Sequence, residues 1–173
     1  MRILLVLLSF ISAMPTMADE LAKPELEFIF KAFVTLDEPH ELGNTKYGKR
    51  RIIGINGGTF KGPEMQGVVL DGGADWQTVR ADGTADLVAK YSLKTDDGHV
   101  IYIQNSGIRT ASPQVLAKLA KGEPVPSSEY YMRTAATLEV NEDSPYAWLN
   151  KSVIISTGRR NADSVELDFY RVK

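Results

Sequence analysis

Apolar and polar residues alternate with a period of two along most of this chain, which restricts it to a fold built of strands. The clearest case is Glu129 to Val140. Tyr130, Met132, Thr134, Ala136, Leu138 and Val140 share one face, and Tyr131, Arg133, Ala135, Thr137, Glu139 and Asn141 the other. Leu26, Phe28, Phe30, Ala32 and Val34 line an apolar face in the same way. Shorter strands are predicted over 51–56, 66–70, 75–80, 87–93, 99–105, 151–157 and 165–172. Turn residues separate them at Gly43-Asn44, Gly48, Asp82-Gly83 and Asp97-Gly98, and aspartate or asparagine followed by glycine favours tight hairpins. One helix is predicted, over about 113–121. Ser112 is placed to cap it, Pro113 opens it, Val115, Leu116 and Leu119 form its stripe, and Gly122 stops it. Many antiparallel strands with one helix predict an all-β domain, and a single antiparallel barrel is favoured because closure removes exposed edges. The helix is expected to cover one end.

The N-terminus carries a secretion signal pattern. Arg2 precedes the apolar run Ile3 to Ala13, and Thr16-Met17-Ala18 supplies small residues at a cleavage site. A signal peptide over 1–18, cleaved after Ala18, and a mature domain over 19–173 are expected, with a periplasmic or secreted location. The run is short for a membrane span, so the mature chain is not expected to be membrane-embedded. The chain contains no cysteine, which excludes thiol nucleophiles and zinc–thiolate centres. A formal charge of −2 and the lack of a basic run give no footing for nucleic acid. His40 and His99 are not at metal-ligand spacing, so neither metal nor cofactor is expected. A homo-oligomer stays open.

Gly57 to Gly83 holds seven glycines around Trp76, Arg80 and four carboxylates. Gly58-Thr59-Phe60-Lys61-Gly62 lacks the lysine–hydroxyl ending and following helix of a phosphate loop. Asp75 follows Gly72-Gly73-Ala74. It is positioned to act as a general base, or to cap that loop's own amides. Trp76 and Arg80 share a strand face that could stack a ring and bind a carboxylate, or form a surface cation–π contact. The Tyr131–Asn141 face reads equally as a polar pocket wall and as a solvated exterior.

The order Gly57-Gly58-x-Phe60-x-Gly62-Pro63, Gly67-x-Val69, Gly72-Gly73-Ala74-Asp75-Trp76 and Arg80-x-Asp82-Gly83 resembles the signature of domain of unknown function 3237. The likeness continues through Tyr91, Thr95-x-Asp97-Gly98, Asn105-x-Gly107, Tyr131-x-Arg133-Thr134, Glu139 and Tyr146-x-Trp148-Leu149-Asn150. Asp71 departs from it, standing where such sequences often carry proline. The resemblance implies a compact antiparallel barrel and brings no assigned activity. It marks Asp75, Arg80, Tyr91, Asn105, Arg133, Glu139 and Asn150 as polar groups to locate.

Three functions follow as expectations. The first is a binder of a small aromatic or carboxylated molecule, using Trp76, Arg80, Asn105, Tyr131, Arg133 and Asn150. The second is a cofactor-free isomerase, cyclase or lyase with Asp75 or Glu139 as base and Tyr91 or Tyr131 as acid. The third is a structural or interaction protein with a filled barrel.

Overall fold

The computed structural model describes residues 20–173. The signal peptide expected over 1–18 and its cleavage point lie outside the described residues. Ten strands follow in order: β1 (Leu26–Leu36), β2 (His40–Thr45), β3 (Gly48–Lys61), β4 (Gln66–Val69), β5 (Gly73–Val79), β6 (Ala85–Thr95), β7 (Val100–Ala111), β8 (Tyr130–Glu139), β9 (Ile154–Arg160) and β10 (Ser164–Val172). The helix α1 (Pro113–Ala120) joins β7 to β8. Ser112 caps it by accepting the Val115 N–H, and Gly122 follows at φ +71.

All pairings are antiparallel and run β1-β10-β9-β8-β7-β6. From β6 the sheet passes to β4 and β5, both of which pair β3, and β3 returns to β1. The result is a closed eight-stranded barrel, in keeping with the single antiparallel barrel expected from the sequence. The long β3 serves two neighbours on one side and changes between them around Gly57-Gly58, pairing β5 up to Ile55 and β4 from Thr59. Gly58 has φ +132, and a Cβ there would stand 2.0 Å from the Phe33 carbonyl oxygen, so no other residue fits that crossing. Closure is incomplete at one end. The β1–β3 ladder stops at Leu36↔Ile55, and beyond it β3 pairs β2, which has no second partner among the described residues.

One expected face is altered. A bulge between Phe28 and Phe30 turns Leu26 and Phe28 outward, and Ile29 and Phe30 are the buried pair instead. An extra residue shifts the alternation by one, and Phe28 packs edge-on against Tyr170.

The barrel interior divides along its axis. Toward one end Phe30 stacks on Phe169 with ring centroids 4.5 Å apart and meets Phe60 edge-on at 5.5 Å. Leu93, Ile101, Ile103, Leu138 and Ile154 are fully enclosed and belong to the same core. Toward the other end the lining turns polar. There α1 lies over the strand ends, with Leu119 buried in the core cluster and Leu116 against Gly83. No helix among the described residues is long and apolar enough to cross a membrane.

Candidate functional site

The polar half of the interior encloses a chamber of about 40 Å³. Its apolar wall includes Leu36, Ile55, Leu87, Met132, Val165 and Leu167, and its polar wall is Asp75, Gln77, Tyr91, Asn105, Arg109, Thr134 and Arg160. Strand parity puts them there. Residues 75 and 77 face inward from β5, Leu87 and Tyr91 from β6, 105 and 109 from β7, and Met132 and Thr134 from β8.

Asp75 is held by its own distortion of the sheet. The β5–β6 ladder lapses at Trp76 and Gln77. The Val88 N–H donates instead to the Asp75 carboxylate at 3.1 Å, and Gln77 Nε2 donates to it at 2.5 Å. Gly73 lets β5 approach β6 just before this point, since a Cβ there would stand 2.5 Å from Tyr91 Cβ. The same close crossing sets Asp75 near Tyr91. Burial raises the Asp75 carboxyl above the ordinary aspartate range, against the opposing pull of the Gln77 and Val88 bonds and of Arg109 and Arg51. Burial, and secondarily the Asp75 charge, also push the Tyr91 phenol up, so it stays a proton donor.

Arg51 donates from Nε and Nη2 to Gln77 Oε1 at 2.9 and 2.7 Å. Gln77 therefore relays between Arg51 and Asp75. Arg160 Nη1 donates to the Ser164 carbonyl oxygen at 2.9 Å. Arg109 is pulled down to about 10 by burial and by repulsion from Arg51 and Arg160, yet remains charged at neutral pH. Three buried polar atoms in this chamber lack a hydrogen-bond partner: Tyr91 Oη, Asn105 Oδ1 and Arg109 Nε. Such groups are uncommon in native interiors, and each costs on the order of 1–3 kcal/mol. Thr134, by contrast, is bonded to Ser156 at 2.5 Å.

Asp75, Tyr91 and Asn105 are thus brought together, and the other expected site residues stand elsewhere. Trp76 and Arg80 have the opposite parity to Asp75 and Gln77 and lie on the outer face, where Arg80 pairs with Asp86. Tyr131, Arg133 and Glu139 are exposed along the exterior of β8, with Arg133 over the Tyr131 ring. Asn150 bonds both the N–H and the carbonyl of Val140, tying down the loop after β8. Gln77, Arg51, Arg109 and Arg160 were missed. Arg109 could have been found by continuing the Ile101, Ile103 and Asn105 face of β7 by parity, because a polar residue on an apolar face is the informative one. Among the described residues no cluster of three metal-ligating side chains occurs.

Fold and chamber together define a closed antiparallel barrel with one packed and one polar half. The chain belongs to the family described as protein of unknown function (DUF3237), whose profile matches residues 24–172. A UPF0311 protein of Rhodopseudomonas palustris is 37% identical over 148 residues, covering 86% of this chain and 96% of that one. The crystal structure of a beta-barrel like protein from Acinetobacter baumannii superposes with a TM-score of 0.78 at 39% identity, covering 89% of this chain and 99% of that one. A hydroalkoxylation enzyme of Penicillium herquei is 32% identical over 83 residues, 48% of this chain and 55% of its own.

Proposed function

We propose that this barrel is a cofactor-free acid–base enzyme acting on a small hydroxyl-bearing molecule in its polar half. The observation that carries this reading is a desolvated Asp75 carboxylate on the wall of a chamber also lined by Tyr91, Asn105 and Arg109, each of which holds an unpartnered buried polar atom. A carboxylate whose proton affinity is raised by burial is a better general base than an ordinary aspartate. The similarity to a fungal hydroalkoxylation enzyme supports the same class of chemistry. In such an addition Asp75 takes the proton from the substrate hydroxyl as its oxygen bonds one alkene carbon. The other alkene carbon receives a proton from the Tyr91 hydroxyl, and once product leaves, water carries the proton held by Asp75 back to Tyr91. The sum is one O–H added across one C=C, with no oxidant, reductant or leaving group.

A benzene-sized guest needs on the order of 150 Å³, so the chamber of about 40 Å³ must widen to admit a ring. The means are local. Met132 is unbranched and adaptable, and part-exposed Arg51 and Arg160 stand where the β1–β3 ladder has ended. The leader-like N-terminus supports a periplasmic or secreted place of action, to be checked by N-terminal sequencing of the exported protein.

The test uses 2-allylphenol and its ring-substituted analogues in heavy water. Ring closure with one deuteron gained at carbon is expected from the wild type and is lost in Asp75→Asn. Closure at the same rate in Asp75→Asn, or closure of none of the analogues by the wild type, overturns the reading.

A further inference from the structure

Charge is unevenly spent in this molecule. Arg80 pairs with Asp86, and Arg159 pairs with Glu166 at 2.5 Å, both on the exterior. Arg109 and Arg160 on the chamber wall, and Arg51 behind Gln77, are treated differently. Arg51 bonds a neutral amide, Arg160 bonds a backbone carbonyl, and Arg109 Nε bonds nothing. None of the three forms an ion pair among the described residues. Asp75 is the one carboxylate on the chamber wall, and it already accepts from Gln77 and Val88. Asp163 and Glu38 attract Arg160 from the rim without bonding it. A guanidinium that is more than nine-tenths buried, as Arg109 is, carries a large desolvation cost unless a partner answers it. Here the cation count exceeds the anion count on the chamber wall, and Arg109, which lines it, carries an unmet donor.

We propose that the chamber takes an organic anion, a carboxylate whose oxygens are gripped by Arg109 and Arg160 with Arg51 behind them. This rests on the acid–base reading above and names its substrate class: a molecule carrying both the reacting hydroxyl and a carboxylate anchor. Guanidinium forks match carboxylate geometry, and such bonds are about twice as strong as neutral ones. The arrangement also separates labour. The arginines anchor the charge, and Asp75 is left for the proton, because a second anion placed against Asp75 itself would be repelled. Asn105, whose Oδ1 is an unpartnered acceptor, stands on the same chamber wall.

The experiment pairs anions with neutral isosteres: formate, acetate and benzoate against formamide, acetamide and benzamide, read by calorimetry and by thermal shift. The carboxylates are expected to bind at least about tenfold more tightly than their amides. Arg109→Gln should erase that preference while raising the ligand-free melting temperature. Arg160→Gln, at a part-exposed position, should weaken it in the same direction and serves if Arg109→Gln fails to fold. Asp75→Asn should keep the preference or increase it. Equal binding of acids and amides, a preference unchanged in both arginine variants, or no binding by any of the six overturns the proposal. Carboxylate preference together with unimpaired ring closure in Asp75→Asn instead overturns the acid–base reading and leaves the anion site standing.

Discussion

The two halves of the barrel interior are built by the same strands and obey opposite rules. In one half Phe30, Phe60 and Phe169 interlock with Ile101, Ile103 and Leu138, and nothing polar is left over. In the other, the same strands β7 and β8 continue inward with Asn105, Arg109 and Thr134, and three polar atoms stay unpaired. The packed half supplies the stability that the polar half spends. Unpaired buried groups are expensive, and a chain free to optimise packing alone replaces them with apolar residues of similar volume. On the proposed reading these unpaired groups mark the polar half as the working end.

The comparison can be broken most forcefully in the packed half. Phe169→Ala removes a fully buried ring and should cost about 3–5 kcal/mol of unfolding free energy, measured by urea titration. A loss under about 1 kcal/mol would mean that the packed half is not what holds the barrel together.

Asp75→Asn sharpens the contrast through pH. The folded protein holds the Asp75 proton more tightly than the unfolded chain does. The stability this group contributes is therefore full in acid and declines as pH rises from the unfolded value, about 3.9, through the raised folded one. The variant cannot titrate there, so its stability relative to wild type should rise as pH rises across that window. A difference that stays flat with pH would place the carboxylate in water rather than in the chamber.

The smallest effect belongs outside. Arg133→Ala, on the exterior of β8, should change stability by no more than about 0.5 kcal/mol and leave carboxylate binding intact. A loss of binding in this variant would move the site to the outer face that the sequence left open.

Much of the fold was legible because period two is a direct readout of strand faces. The buried residues of β8 are the even-numbered ones that its alternation predicts, and α1 runs from Pro113 to Ala120 against an expected 113–121. What sequence could not supply was which polar residues end up inside. Trp76 and Arg80 drew attention by chemical type, yet parity sends them outward and leaves their neighbours Asp75 and Gln77 in the chamber. The bulge at Phe28–Phe30 reverses a face without any local signal of glycine or proline. Arg51 and Arg160 come within electrostatic reach of one another from β3 and β9, which are not neighbours in the sheet, a long-range consequence of closure.

The central claim is that the polar half keeps unpaired groups for a ligand rather than for the fold. Tyr91→Phe tests it most directly, because it deletes one buried oxygen that has no partner and leaves the ring in place. Unfolding by urea without ligand should show the variant more stable than wild type, by about 1 kcal/mol or more, with ring closure of 2-allylphenol reduced in the same protein. A variant less stable by a similar amount would show that the hydroxyl is a structural bond of the native barrel, and would contradict the account.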